Sequence, residues 1–139
     1  MLTKKEIENY AKVMVWAVEK AGAETGKIFK KGDLISLTFP RYAYDLAEKI
    51  YEICIKKGYN VQTSVNLSPK MEKDFYLNAD DNQLKFLPNW KKEQMQNTAG
   101  SIHIISDEDL LNLADVDTKK ISSRMKALKS LRDIRNKNE

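Results

Sequence analysis

The run Gly32-Asp33-Leu34-Ile35-Ser36-Leu37-Thr38-Phe39-Pro40 carries its apolar residues Leu34, Ile35, Leu37 and Phe39 at spacings that fit no single helical face. Gly32 and Pro40 bound it, so Asp33 to Phe39 reads as a buried strand. Helical patterns flank it on both sides and further strand patterns follow. That order predicts an α/β fold, a three-layer sandwich in which helices flank a mostly parallel sheet of at least three strands. The Asp33 to Phe39 strand is expected at its centre.

Upstream, Thr3-Lys4-Lys5-Glu6 is a capping box, and Leu2 with Ile7 can staple it, so a helix starts at Lys4. Ile7, Tyr10, Ala11, Met14, Ala17, Val18 and Ala21 are expected on its inner face, with Gly22 as a left-handed stop. Downstream, a second helix is predicted from about Tyr42 to Lys57, with Ala43, Leu46, Ala47, Ile50, Tyr51 and Cys54 inward and Gly58 ending it. Val61, Thr63, Val65 and Leu67 then alternate with Gln62, Ser64 and Asn66, the pattern of a strand with one wetter face near a sheet edge. Strand, helix and strand form a right-handed βαβ unit.

Ser68-Pro69 gives an N-cap with Pro at the first helical position, opening a helix to about Asn78. Asp80 to Phe86 allows another helical turn or two, and Asn89 can cap a helix to about Asn97. Gly100 precedes Ser101-Ile102-His103-Ile104-Ile105-Ser106, read as a third buried strand. A short helix containing Leu110, Leu111 and Leu113 follows. Asp117 can then cap a last helix, Thr118 to about Lys137, with a narrow stripe of Ile121, Met125, Leu128, Leu131 and Ile134.

A chain of 139 residues suffices for a single α/β domain with its own core. Its hydrophobic content of 42% is that of a globular protein, and 24 Lys and Arg against 20 Asp and Glu is too mild an excess to imply nucleic acid. The lone Cys54 rules out an internal disulfide, and Lys4, Lys5, Glu6 and Glu8 interrupt any signal-like apolar run. A cytoplasmic location is expected. No apolar segment approaches the roughly 20 residues needed to span a bilayer, so no membrane partner is expected.

A catalytic zinc site needs converging His, carboxylate or thiolate ligands, and this chain has one His and one Cys, far apart. His103 reads as a core or edge histidine and Cys54 as an inert core thiol. Asp107, Glu108, Asp109, Asp115 and Asp117 form a carboxylate cluster after the third strand, where open α/β sheets bind ligands, but helix capping and solvated loop charge account for them with no ligand. Phe39-Pro40-Arg41-Tyr42 has no glycine-rich phosphate fingerprint, so a dinucleotide or Walker-type site has no support. The basic residues of the last helix, including Arg124, Lys129 and Arg132, could neutralise phosphates, yet they lack interleaved aromatics for stacking bases. From the residues alone no catalytic, cofactor or metal-binding residue is assigned.

The order of features nonetheless resembles a known family. Ile7-Glu8-Asn9-Tyr10-Ala11, then Gly32-Asp33-Leu34-Ile35, Ala47-Glu48-Lys49-Ile50-Tyr51-Glu52, Phe75-Tyr76, Asp81-Asn82-Gln83-Leu84-Lys85-Phe86-Leu87-Pro88, Ala99-Gly100-Ser101-Ile102-His103-Ile104 and Leu113-Ala114-Asp115-Val116-Asp117 follow one another as in the N-terminal domain of the thermophilic-type metallo-aminopeptidases, the group that includes aminopeptidase T and aminopeptidase S. Thr118 stands where relatives often have Pro, and Lys126 to Ile134 is similar to the helix leading toward the rest of the enzyme. The resemblance implies removal of N-terminal amino acids from peptides by two divalent metal ions of the zinc, cobalt or manganese class, bound by Glu, His and Asp of a C-terminal domain. It implies dimers, with peptide as substrate and this domain as scaffold. Its shared motifs are structural, so no catalytic residue carries over and this chain alone is expected to be inactive. The alternative expectation is a free-standing α/β module with a ligand near Phe39 to Arg41 and Ser106 to Asp109.

Overall fold

The computed structural model describes residues 2–105 and 112–138, which fall into two compact units. Residues 2–66 and 97–105 form the first, and residues 67–96 and 112–138 the second.

The first unit is built on β1 (Leu34–Phe39), which pairs in parallel with β2 (Asn60–Val65) on one side and β3 (Thr98–His103) on the other. The sheet order is β2-β1-β3, so the Leu34 strand is central as its apolar pattern predicts. In register, Ile35 lies between Val61 and Gly100, and Leu37 between Thr63 and Ile102. Helices α1 (Lys4–Glu24) and α2 (Tyr44–Lys56) pack on one another and against the strands, α1 on β3 and α2 on β1 and β2. The core joins Ala11 and Val15 of α1 to Ala47, Ile50 and Cys54 of α2 over Ile35, Leu37 and Phe39. Burying each of the larger side chains contributes roughly 1.5–3 kcal/mol. That layer of helix on parallel sheet is the α/β sandwich expected.

Local chemistry explains the boundaries. Thr3 and Glu6 close the capping box at α1, with both reciprocal bonds at 3.1 Å. Gly22 does not end that helix: it stays helical through Glu24, and the left-handed residue is Gly26, with φ 83°. Gly22 matters for another reason, since a Cβ there would sit 2.7 Å from the Lys27 carbonyl oxygen, which folds back over the helix end. The inner face of α1 is also rotated from the sequence reading. Val15 is buried, whereas Tyr10, Ala17 and Ala21 are exposed.

β3 begins at Thr98, three residues before the predicted Ser101. Gly100 lies inside the strand instead of bounding it, because a Cβ there would meet the Phe29 ring at 2.6 Å and Val18 at 3.2 Å. The register shifts by one residue between Leu34 and Ile35, leaving Ala99 as the extra residue of β3. Ile104, just past the strand, still donates its N–H to the Thr38 carbonyl at 2.9 Å.

The second unit is helical: α3 (Pro69–Asn78), α4 (Asp81–Lys85), α5 (Asn89–Asn97), which ends where β3 begins, and α6 (Thr118–Asn138). Ser68 caps α3 through the Met71 N–H at 3.1 Å, and Asp80 with Gln83 forms a second capping box at α4. α6 packs on α4, with Leu84 and Leu131 buried.

Candidate functional site

Of the carboxylates singled out in the sequence, Asp107, Glu108 and Asp109 lie outside the described residues, as does most of the short helix expected there. Asp115 faces solvent and meets Lys73 at 3.6 Å. Asp117 Oδ1 accepts the Lys119 N–H at 2.9 Å and its carbonyl accepts from Lys120, so it caps α6. Among the described residues, no group of three or more His, Cys, Asp or Glu converges where it could hold a metal ion. His103 is the exposed last residue of the edge strand β3. Cys54 is buried in the core, and that burial, reinforced by the charge of Glu19 and opposed by Lys57, pushes its thiol up to about 11. A thiol so protonated at neutral pH is no nucleophile.

Two of the basic residues of α6 point inward within their unit. Lys120 Nζ donates to the carbonyls of Leu77 and Ala79 at 3.4 and 3.0 Å, where α3 ends. Arg124 Nη1 donates to those of Leu84 and Phe86 at 3.1 and 2.7 Å, where α4 ends, and its guanidinium lies 5.4 Å from the Phe75 ring centre. Both cations therefore satisfy carbonyls that a helix end leaves open. Charge that, from the sequence, could neutralise phosphates is here engaged by the protein's own backbone.

At the carboxyl ends of β1 and β2 the first unit holds a cavity of about 320 Å³. Tyr44, Glu48 and Tyr51 line it from α2, where spacings of four and three residues put them on one helical face. Ala47 lies beside them, small enough to leave room. Phe39, the last residue of β1, meets the Tyr44 ring edge-on, with centroids 5.0 Å apart and planes at 77°. Thr63 and Val65, alternate residues of β2, complete the wall. Tyr51, read from the sequence as an inward core residue, is 43% exposed, because it stands over this cavity. The i, i+4, i+7 spacing of Tyr44, Glu48 and Tyr51 was the available signal for it.

A second polar cluster joins α1 to the turn after α2. Glu19 accepts from Lys57 Nζ at 2.8 Å and from the Tyr59 hydroxyl at 2.5 Å. Burial alone would push the Glu19 carboxyl up, but the bonds from Lys57 and Tyr59 outweigh it and hold the group below its ordinary range. Tyr59 moves the other way, raised first by burial and then by Glu19. These residues fasten α1 to the turn that follows α2.

The first unit is thus a parallel sheet covered by helices with an aromatic-lined cavity at its carboxyl edge, and the described residues hold no metal-binding cluster. The chain belongs to the thermophilic metalloprotease (M29) family, whose model matches residues 3–139. Among solved structures it is similar to wild-type AmpT from Thermus thermophilus, with a TM-score of 0.68 at 18% identity, and the likeness at that identity is one of fold. The match covers 97% of this chain and 33% of that one, so this chain spans about a third of the length of the solved relative. No curated protein matches. The family description implies a metal, but the described residues do not supply a ligand set for one, and no metal-dependent step is assigned to them. No described helix is long and apolar enough to cross a membrane.

Proposed function

We propose that this chain is the N-terminal scaffold domain of a metal-dependent aminopeptidase that removes N-terminal amino acids from peptides, with the catalytic ligands in a C-terminal domain beyond this sequence. The observation that carries the reading is the family match over residues 3–139, together with a fold likeness that takes in nearly all of this chain and only a third of the AmpT chain. The metals, two divalent ions of the zinc, cobalt or manganese class, belong to that other domain. Tyr10, Val13 and Trp16 support the scaffold role from this side: all are more than half exposed along α1, leaving apolar surface for a second domain or a second copy in a homodimer. A cytoplasmic home accords with the single thiol.

The test has two parts. The 139-residue chain is incubated with leucyl-p-nitroanilide and short peptides in the presence of zinc, cobalt or manganese, and released amino acid is measured. No turnover is expected, and robust metal-dependent release by this chain alone overturns the scaffold assignment. The source gene is then read past the codon for Glu139, where paired Glu and His codons support the proposal and an immediate stop removes it.

A further inference from the structure

The cavity at the carboxyl edge of β1 and β2 is independent of the metal chemistry, and its lining has a definite character. Phe39 and Tyr44 present rings at nearly right angles, and Tyr51 stands one further turn along α2. Between the two tyrosines lies Glu48, which makes no hydrogen bond or ion pair to any described residue, unlike its helix neighbours Lys49 and Glu52, which pair with each other at 3.1 Å. Neither the Tyr44 nor the Tyr51 hydroxyl has a partner among the described residues. Lys and Arg are absent from the lining, so the Glu48 charge is not neutralised from inside the cavity.

Aromatic faces attract cations through the negative face of the π system, and a free carboxylate beside them adds a direct countercharge. An anion would meet Glu48 and the ring faces with the wrong sign. A neutral apolar molecule would fill the volume but leave the carboxylate with water alone. The volume of about 320 Å³ is at the lower end for small-ligand sites, enough for one ring or short aliphatic body with a charged head. The position also agrees with the rule that open α/β sheets bind ligands outside the carboxyl ends of their strands.

We infer that this cavity binds a small organic ammonium, with its apolar body between Phe39, Ala47 and Val65 and its charged nitrogen at Glu48 between the two tyrosine rings. Such a group occurs both on free amines and at the N-terminus of a peptide with a hydrophobic first residue. The site would act as a docking position and performs no bond chemistry.

The test uses the isotopically labelled 139-residue chain, with amide chemical shifts followed during titration. The probes are phenethylammonium, its neutral counterpart 2-phenylethanol, phenylacetate, and phenylalanylglycine amide. Phenethylammonium is expected to bind saturably in about the millimolar range, shifting Thr63, Val65 and the α2 amides around Glu48. The alcohol should bind about tenfold more weakly and phenylacetate more weakly still. Glu48→Gln, an exposed position whose change leaves the fold intact, should weaken the ammonium about tenfold and leave the alcohol unchanged. Tyr51→Ala should weaken both amines. If the peptide amine binds at the same residues at least as tightly as phenethylammonium, the ligand is a peptide N-terminus; if it binds more weakly, the ligand is a free amine. Equal binding of alcohol and amine, insensitivity to Glu48→Gln, shifts confined to other residues, or no saturation overturns the inference. None of these outcomes depends on peptidase activity, so the site and the scaffold proposal stand or fall separately.

Discussion

The two units are held together by different physics. In the first, a parallel sheet and two helices bury a contiguous apolar cluster, with Ile35, Leu37 and Ile50 fully removed from water. In the second, the described residues bury few large side chains, chiefly Leu84 and Leu131, and the helix ends are tied by Lys120 and Arg124 to main-chain carbonyls. A sheet strand buried on both faces needs almost every residue to be apolar, whereas short helices can be joined through their termini with charged side chains. The fold thus rests on hydrophobic burial in one case and leans on directed hydrogen bonds in the other.

The sharpest way to break this contrast is to truncate one leucine in each unit. Leu37→Ala should cost about 4 kcal/mol and Leu84→Ala about 2 kcal/mol, since fewer buried neighbours surround Leu84 and its site can relax into the space. Urea unfolding followed by amide exchange in each unit reads both, and equal costs would erase the distinction. Next comes Gly100→Ala, expected to cost about 2 kcal/mol because the new methyl meets the Phe29 ring. Phe29→Leu in the same chain should recover part of that loss, whereas an additive result would place the strain elsewhere.

In the second unit, Arg124→Met should cost about 1–2 kcal/mol and Lys120→Met about half that, with amide exchange accelerating at the ends of α4 and α3 respectively. No exchange change at α4 would mean that water replaces the guanidinium without loss. The polar cluster of the first unit gives a signature in pH. Because the Glu19 carboxyl is held below its ordinary value of 4.5, its contribution is present above that pH and is lost as pH falls through the depressed value. Tyr59 is raised, so its contribution is complete below its ordinary value of 10.0 and declines as pH rises above it. The stability advantage of the parent over Glu19→Gln should therefore narrow in acid, and a constant difference down to pH 2, about two units below the ordinary carboxyl value, would rule the cluster out as its source. At the small end, Glu8→Gln, which breaks the exposed pair with Lys12 at 3.2 Å, should change stability by less than about 0.5 kcal/mol.

The central strand, its parallel neighbours, the capping residues Thr3 and Ser68, and the order of elements were legible because each rests on local chemistry or on a strong period. The start of β3 was not, since a glycine is read as punctuation and only the tertiary approach of Phe29 makes Gly100 a strand residue. Gly22 misleads in the same way: its lack of a side chain serves the Lys27 carbonyl and not a helix stop. The outward turn of Tyr10 and Tyr51 escaped the periodicity argument because an amphipathic tyrosine fits an inner or outer face equally well. Lys120 and Arg124 illustrate the limit for charge, for a sequence shows a cation but not the carbonyl it meets. The cavity at Tyr44, Glu48 and Tyr51 was visible only as a spacing, and its open volume depends on Ala47 and on the partner strand β2.

The sheet order also sets a timetable for folding. Leu34 finds Asn60 after 26 intervening steps of chain, but Ile35 finds Gly100 only after 65, with residues 67–96 of the helical unit lying between in sequence. During synthesis β1 can pair with β2 long before its other neighbour exists, so the most apolar strand of the protein waits with one edge unpaired. Loop-closure entropy makes the second pairing the slower one and exposes that edge to other chains meanwhile. The interval between the emergence of Val65 and that of Thr98 is therefore the window in which a nascent chain is most exposed to aggregation.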